Sequence, residues 1–230
     1  MNVDKIREEF SMFKNNDNFT YLDSAATSLT PDCVVDAMSD YYKFYRATVH
    51  RASYKNGEKA DSKYNEARET IANYINAKNN EVIFTKGTTS SLNHIARNLI
   101  SNLNSNDEIL VSELEHHSNL LPWREYGNQN GIKVNYIKLI NNQITLEGIK
   151  DSISANTKII SINHVSNIIG ATSPIEEIGK FCQENNILLV VDGAQGITHE
   201  KVDVQKMNCD FYVFSSHKIF GPTGIGVLYG

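Results

Sequence analysis

The feature that most constrains the fold of this chain is an alternation of short apolar runs with longer amphipathic stretches. The apolar runs have the length of β-strands, and most of the stretches between them show helical periodicity. The strand-like runs are residues 81–84, 108–111, 134–137, 158–161, 187–191, 210–214 and 224–230. Strands that alternate with helices predict an α/β protein with a doubly wound, mainly parallel sheet.

The composition is that of a globular protein and excludes several functional classes. The chain has 22 Lys and Arg against 27 Asp and Glu, a net charge of −5, and it lacks a basic cluster that could neutralise nucleic-acid phosphates. No apolar run approaches the roughly 18 residues that a bilayer span needs, and the N-terminus lacks the apolar region of a secretory signal. We therefore predict a cytoplasmic protein that binds neither nucleic acid nor membrane.

The helical stretches indicate how the chain is divided into segments. Residues 3–13 are amphipathic, residues 31–45 form a helical stretch that begins with Pro31, and a second long helical stretch covers residues 59–77. We divide the chain into an N-terminal helical segment, residues 1–20, and a large domain, residues 21–230. The last strand-like run ends with the sequence, which suggests a truncated domain.

The three cysteines are an odd number without CxxC spacing, which argues against a disulfide framework and against a metal site. Cys33 and Cys182 fall in predicted helices, and Cys209 directly precedes a predicted strand. We expect all three to be buried and to pack as small apolar side chains.

Ligands of parallel sheets bind outside the carboxyl ends of the strands, and reactive side chains follow several of these runs. Thr88, Thr89 and Ser90 open a helical stretch after run 81–84. Small hydroxyl residues at a helix N-terminus suit a phosphate, although Thr88 or Ser90 would equally suit a plain helix cap.

Two further strand ends carry imidazoles and amides. His116 and His117 follow run 108–111, and they could serve as metal ligands, as acid or base, as a stacking surface, or as a solvated pair. Adjacent residues point in different directions, so one metal ion would rarely take both. After run 158–161, Asn167 or His164 could hydrogen-bond a ligand, although Asn and Gly also suit a tight turn.

The most informative strand end carries Asp192. A carboxylate that ends a fully apolar strand is expected to be buried, and it then needs a cation or several donors, unless it only caps the next helix. Lys218 follows the next strand with Ser215 and Ser216. If the two strands are parallel neighbours, these groups share one crevice, and they suit pyridoxal phosphate, which carries a ring nitrogen, an aldehyde and a phosphate.

These residues lie in segments that resemble the class V aminotransferase family of pyridoxal-phosphate enzymes, and most closely its Suf-type (group II) cysteine desulfurases. The shared segments are YLDSAAT at 21–27, VHR at 49–51, FTKGTTSSLN at 84–93, EHHSNLLPW at 115–123, HVSNIIG at 164–170, VDGAQG at 191–196 and FYVFSSHKIFGPTGIGVLYG at 211–230. The resemblance implies the large domain of a fold-type I enzyme, without the C-terminal small domain that follows it in the family.

The resemblance also implies roles for individual residues. Lys218 would hold the cofactor and move protons at the substrate Cα, while His116 would stack on the cofactor ring and act as acid or base. Asp192 would pair with the ring nitrogen, and Gln195 with the phenolic oxygen. The remaining implied contacts are Thr88, Thr89, Ser215 and His217 to the phosphate, and Asn167 to a cofactor oxygen or the substrate carboxylate.

The implied reaction converts L-cysteine to L-alanine and passes sulfur to an enzyme cysteine as a persulfide, for iron–sulfur cluster assembly. A sulfur-acceptor protein and a homodimer of the full-length protein are implied as well. The family's nucleophilic cysteine and substrate-gripping arginine lie beyond residue 230, so we expect little turnover by this chain alone. The alternatives are a selenocysteine lyase or other class V aminotransferase, and a catalytically incomplete cofactor-binding fragment.

Overall fold

The structure, a computed structural model, describes residues 2–230. The strands are β1 (Val82–Thr85), β2 (Glu108–Val111), β3 (Lys133–Tyr136), β4 (Thr157–Asn163), β5 (Leu188–Asp192), β6 (Phe211–Ser215) and β7 (Gly226–Tyr229). Within the described residues these seven strands form one sheet in the order β1-β7-β6-β5-β4-β2-β3. Each predicted strand is therefore present, with boundaries shifted by a few residues at most.

Helices connect most of the strands. They are α1 (Val3–Arg7), α2 (Ser11–Lys14), α3 (Asp32–Asp40), α4 (Lys55–Ile75), α5 (Thr88–Ile100), α6 (His117–Asn130), α7 (Leu146–Lys150), α8 (Ile175–Glu184), α9 (Gly196–His199) and α10 (Val204–Met207). The stretch predicted as one helix over residues 3–13 is two short helices, and residues 41–45 continue α3 as a π-helical turn. Met1, the first residue of the predicted segment 1–20, lies outside the described residues.

The sheet is mainly parallel, as predicted. Strands β3, β2, β4, β5 and β6 run parallel to one another. Strand β7 is antiparallel to both of its neighbours, β1 and β6, a direction that its apolar sequence did not indicate. The neighbouring, parallel placement of β5 and β6 satisfies the condition on which Asp192 and Lys218 were expected to share a crevice.

Both faces of the sheet are covered, which confirms the doubly wound fold. Alternate strand residues point to opposite faces. Leu189 and Val191 pack into a core that includes side chains of α4, α7, α8 and α10, whereas Val190 packs into a second core with side chains of α5 and α6. Among residues 2–230, no helix combines the length and the apolar character that crossing a membrane requires.

The strand order reverses between β2 and β4, because the chain passes from β2 outward to β3 and then back to the other side of β2. Such a switch point opens a crevice at the carboxyl ends of the strands, where α/β proteins bind ligands. The sheet order thus places the ends of β2, β4, β5 and β6 around one region.

One prediction about the cysteines is wrong. Cys33 is exposed, because α3 buries none of its residues. Cys182 and Cys209 are buried in the core that α8 and α10 cover, as expected.

Candidate active site

A cavity of about 450 Å³ lies at the carboxyl ends of β4, β5 and β6. All nine residues predicted for the site line it: Thr88, Thr89, His116, Asn167, Asp192, Gln195, Ser215, His217 and Lys218. Ala25, Ala26, Ser118, Asn163, Val165 and Ala194 complete the lining. The structure therefore brings together the residues that the sequence singled out, while their individual roles stay predictions.

Asp192 and Lys218 reach the cavity from neighbouring strands. Asp192 ends β5 and is 5% exposed, and its carboxylate accepts a 3.0 Å hydrogen bond from the Ala194 N–H. Burial raises the pKa of Asp192, and the Ala194 bond and the charges of Lys218 and His116 oppose this rise. Burial also lowers the pKa of Lys218, although Asp192 opposes that change. The hydrogen bond and the nearby charges thus offset only part of the cost of burying the Asp192 carboxylate, and a cation in the cavity would stabilise it.

The N-terminus of α5 forms another wall. The Thr88 N–H and its hydroxyl each lie 2.8 Å from the Ser215 Oγ at the end of β6. The Thr89 hydroxyl lies 2.9 Å from that of Ser118. The first N–H groups of a helix have no partner within the helix, and the helix dipole adds positive potential there. Hydroxyls and a helix terminus together form a wall that suits an anion.

The cap of α5 differs from both candidates named from the sequence. Gly87 is the N-cap, with φ of 146°, and no side chain caps the helix. This backbone conformation is restricted to glycine in practice. A Cβ on Gly226 would lie 2.5 Å from the Gly87 Cα, so β7 packs directly against this turn. The interpretation of Thr88 or Ser90 as a plain cap is therefore wrong.

The two adjacent histidines point into different spaces, as expected. His116 lines the cavity as the N-cap of α6, and its Nδ1 accepts a 3.1 Å hydrogen bond from the Ser118 N–H. His117 lines a separate groove between α5 and α6. Because Nδ1 of His116 is an acceptor, the neutral ring carries its proton on Nε2.

Residues before α3 close the cavity on another side. The His217 carbonyl accepts hydrogen bonds from the N–H and the hydroxyl of Ser28, at 2.8 and 2.9 Å. The Gln195 amide donates to the Ala25 carbonyl at 2.7 Å. One Nε2 hydrogen of Gln195 is therefore engaged, and its second hydrogen is the donor that a ligand oxygen could use. Ala25 and Ala26 of segment YLDSAAT line the cavity here, and Ser28 directly follows this segment, a placement that the sequence alone did not predict.

Two residues considered for the site have structural roles instead. The His164 Nδ1 lies 3.0 Å from the Tyr212 hydroxyl, and burial lowers the pKa of His164. Of the two candidates after β4, only Asn167 lines the cavity. Ser216 does not line the cavity, and its hydroxyl lies within hydrogen-bond distance of the carbonyls of Pro222 and Ile225.

Beneath the cavity lies a buried polar cluster that the sequence did not predict. The Glu115 carboxylate is 6% exposed and accepts hydrogen bonds from Ser112, Asn119 and Asn163. Burial raises the pKa of Glu115 to about 7, and the nearby Asp192 adds to this rise. The sequence offered only Glu115 within EHH as a sign of this cluster. It could not show which residues bond to Glu115, because Asn119 lies on α6 and Asn163 on β4.

Within the described residues, the cavity holds neither a cysteine nor a group of metal ligands. None of the three cysteines lines the cavity, and burial raises the pKa of both Cys182 and Cys209 to about 12. In the part of the chain that the structure describes, no group of three or more His, Cys, Asp or Glu side chains is arranged to hold a metal ion.

A doubly wound sheet with a cavity at the carboxyl ends of its strands is the arrangement of ligand-binding α/β proteins. The family model of Aminotransferase class-V matches residues 20–230, and the chain belongs to this family. A probable cysteine desulfurase of Halalkalibacterium halodurans is 42% identical across the full chain. The chain spans 58% of the length of that relative.

Solved structures give the same likeness. A cysteine desulfurase from Thermococcus onnurineus NA1 superposes with a TM-score of 0.92 and 38% identity. The match covers 98% of this chain and 56% of the desulfurase chain. A protein described as SspA in complex with cysteine superposes with a TM-score of 0.84 and 31% identity. The match covers 92% of this chain and 61% of the SspA chain.

Proposed function

We propose that this chain is the cofactor-binding part of a pyridoxal-phosphate-dependent cysteine desulfurase. The observation that carries the proposal is the placement of Lys218 and the buried Asp192 in one cavity, beside a helix terminus that suits an anion. The desulfurase relatives and the cysteine complex of a structural neighbour support this choice of reaction. Selenocysteine is the competing substrate. Comparing the rates at which the whole protein releases alanine from cysteine and from selenocysteine would distinguish the two.

The side chains of the cavity fit each part of pyridoxal phosphate. Thr88, Thr89, Ser215 and His217 would hold the phosphate together with the helix terminus. Asp192 is buried without a full complement of partners, so it would pair with a protonated ring nitrogen. The free hydrogen of the Gln195 amide would bond the phenolic oxygen, and His116 would lie against the ring.

When bound, the cofactor supplies an electron sink for the substrate Cα. Lys218 suits the transfer of a proton to and from that carbon, because burial lowers its pKa and so favours the neutral amine. His116 can donate from Nε2, since its Nδ1 is held by the Ser118 N–H. Asn167 would bind the substrate carboxylate.

The overall reaction consumes L-cysteine and an enzyme thiol and yields L-alanine and an enzyme persulfide. Cys182 and Cys209 do not suit the accepting thiol, because a pKa of about 12 leaves almost no thiolate at neutral pH. Cys33 is exposed but does not line the cavity. The proposal therefore assigns that thiol to a part of the whole protein outside these residues. It also includes a homodimer, a sulfur-acceptor protein for iron–sulfur cluster assembly, and a cytoplasmic location. The chain alone should release little alanine from cysteine.

The test is the visible spectrum of the chain with pyridoxal phosphate. The native chain and the control Lys180→Ala, a change at an exposed residue of α8, should both develop a cofactor band. Lys218→Ala should lack the band that covalent attachment produces. A band of equal intensity in all three proteins, or no band in a folded native sample, would contradict the proposal.

A further inference from the structure

The turn that carries Lys218 is hydrogen-bonded to a side chain from a distant part of the chain. Ser216–Lys218 form a 3₁₀ turn directly after β6, and from it the Lys218 side chain reaches the cavity. The Ser28 hydroxyl lies 2.9 Å from the His217 carbonyl and accepts a 2.7 Å hydrogen bond from the Phe220 N–H. Ser28 thus contacts the chain on both sides of Lys218.

The direction of both hydrogen bonds is fixed. A carbonyl only accepts and an N–H only donates, so the single hydroxyl hydrogen of Ser28 points to the His217 carbonyl. A lone pair of the same oxygen is left for the Phe220 N–H. The Ser28 N–H also donates to the His217 carbonyl, at 2.8 Å. One buried residue, 8% exposed, therefore bridges residues 217 and 220.

The backbone of Phe220 indicates that the turn depends on such support. Its φ is 67°, in the left-handed region that bulky residues rarely adopt. This conformation costs free energy, and it persists only where the surrounding structure holds it. The hydrogen bond to Ser28 is made at this residue, and the Phe220 ring centroid lies 6.2 Å from that of Phe10. Without the Ser28 hydroxyl, we expect the backbone around Phe220 to relax and Lys218 to move with it.

A second hydroxyl contacts the same turn. The Thr198 hydroxyl donates to the Lys218 carbonyl at 3.0 Å. Thr198 lies on α9 and Ser28 precedes α3, so the two contacts come from separate parts of the fold. Neither residue lines the cavity. Any effect of these two hydroxyls on a ligand must therefore pass through Lys218.

We propose that Ser28 and Thr198 are positioning residues for Lys218, which keep its amine directed at the aldehyde of pyridoxal phosphate. The inference rests on the proposed function, because it takes Lys218 as the point of attachment of that cofactor. On attachment a carbon–nitrogen double bond forms between the aldehyde carbon and the Lys218 Nζ, and the aldehyde oxygen leaves as water with the two hydrogens of the neutral amine. A lysine held in the right geometry favours this bond, and a displaced lysine does not.

The test compares pyridoxal phosphate with deoxypyridoxine phosphate, in which a methyl group replaces the aldehyde. Both ligands keep the ring and the phosphate, but only pyridoxal phosphate can attach to Lys218. Equilibrium dialysis of the folded chain measures each affinity. Lys218→Ala sets the scale, because it should remove the advantage of pyridoxal phosphate over the analogue.

Ser28→Ala removes the hydroxyl and keeps the backbone N–H. It should weaken the binding of pyridoxal phosphate about tenfold, equivalent to about 1.4 kcal/mol, and leave the affinity for the analogue unchanged. Thr198→Val, a change at an exposed position, should give a smaller loss with the same selectivity. It provides a second test if Ser28→Ala fails to fold.

Ser152→Ala is the matched control. The Ser152 hydroxyl also bridges two backbone groups, since it accepts from the Lys138 N–H at 2.8 Å and donates to the Gly148 carbonyl at 2.6 Å. Ser152 does not line the cavity. Ser152→Ala therefore loses the same pair of hydrogen bonds as Ser28→Ala, and both affinities should stay unchanged. A purely structural role of Ser28 would make Ser28→Ala behave like this control.

The outcomes separate this inference from the proposed function. Equal losses for both ligands in Ser28→Ala and Thr198→Val, or no loss for either ligand, would overturn the positioning role while leaving the cofactor assignment intact. Failure of the folded native chain to bind pyridoxal phosphate more tightly than the analogue would overturn the proposed function and this inference together.

Discussion

Replacing Glu115 with Gln should change how the stability of the chain depends on pH. The folded structure buries this carboxyl beside Asp192, and burial raises its pKa from 4.5 to about 7. The unfolded chain releases the proton near the ordinary pKa. Between these two values the folded state binds more protons than the unfolded state, so rising pH draws the equilibrium toward unfolding.

The magnitude follows from the two pKa values. A pKa difference of one corresponds to about 1.36 kcal/mol, so the rise at Glu115 corresponds to about 3 kcal/mol. The cost is absent below pH 4.5, grows as the pH rises to 7, and is then constant. A Gln cannot ionise, and its replacement of Glu115 should therefore remove this pH-dependent cost, whatever constant change in stability it also brings.

Urea unfolding, followed by Trp123 fluorescence at several pH values, measures the effect. The free energy of unfolding of Glu115→Gln, minus that of the native chain, should rise by about 3 kcal/mol between pH 4.5 and pH 8. Glu113→Gln should show no such trend. A constant difference between Glu115→Gln and the native chain over this range would refute the reasoning.

The remaining predictions concern thiols and backbone. In the folded chain Cys33 should react quickly with a thiol reagent at pH 8, whereas Cys182 and Cys209 should react only after unfolding, and rapid labelling of all three would contradict their burial. Gly87→Ala should lower the free energy of unfolding by about 1–3 kcal/mol in urea titrations, because φ of 146° is strained for alanine. An unchanged midpoint would show that the turn can relax.

The strands and the cavity were largely predictable from the sequence. Period and length identify strands locally, and a parallel sheet collects the ends of its strands at one edge. This is why Asp192 and Lys218 could be placed together before their distance in space was known. The direction of β7 was not predictable, because an apolar run carries no information on the strand beside which it inserts.

The buried cluster escaped prediction for a different reason. Glu115 has the sequence context of an exposed residue, and its donor groups come from Asn119 on α6 and Asn163 at the end of β4. Only tertiary packing brings these together. His164 was misleading for a related reason, since its ring packs beside Tyr212 rather than in the cavity.

The position of β7 has a consequence for the order of events during synthesis. At the edge of the described sheet, β1 is joined to the other strands through β7, which leaves the ribosome about 140 residues later. At about 5–20 residues per second, β1 waits roughly 7–30 s for its neighbour. The hydrogen bonds from Thr88 to Ser215 and from Ser28 to His217 join residues 127 and 189 positions apart, and at the same rate they form only about 6–25 s and 9–38 s after their first partner is made. A nascent chain therefore exposes an unpaired strand for this interval, and chaperones that bind such strands would find it there.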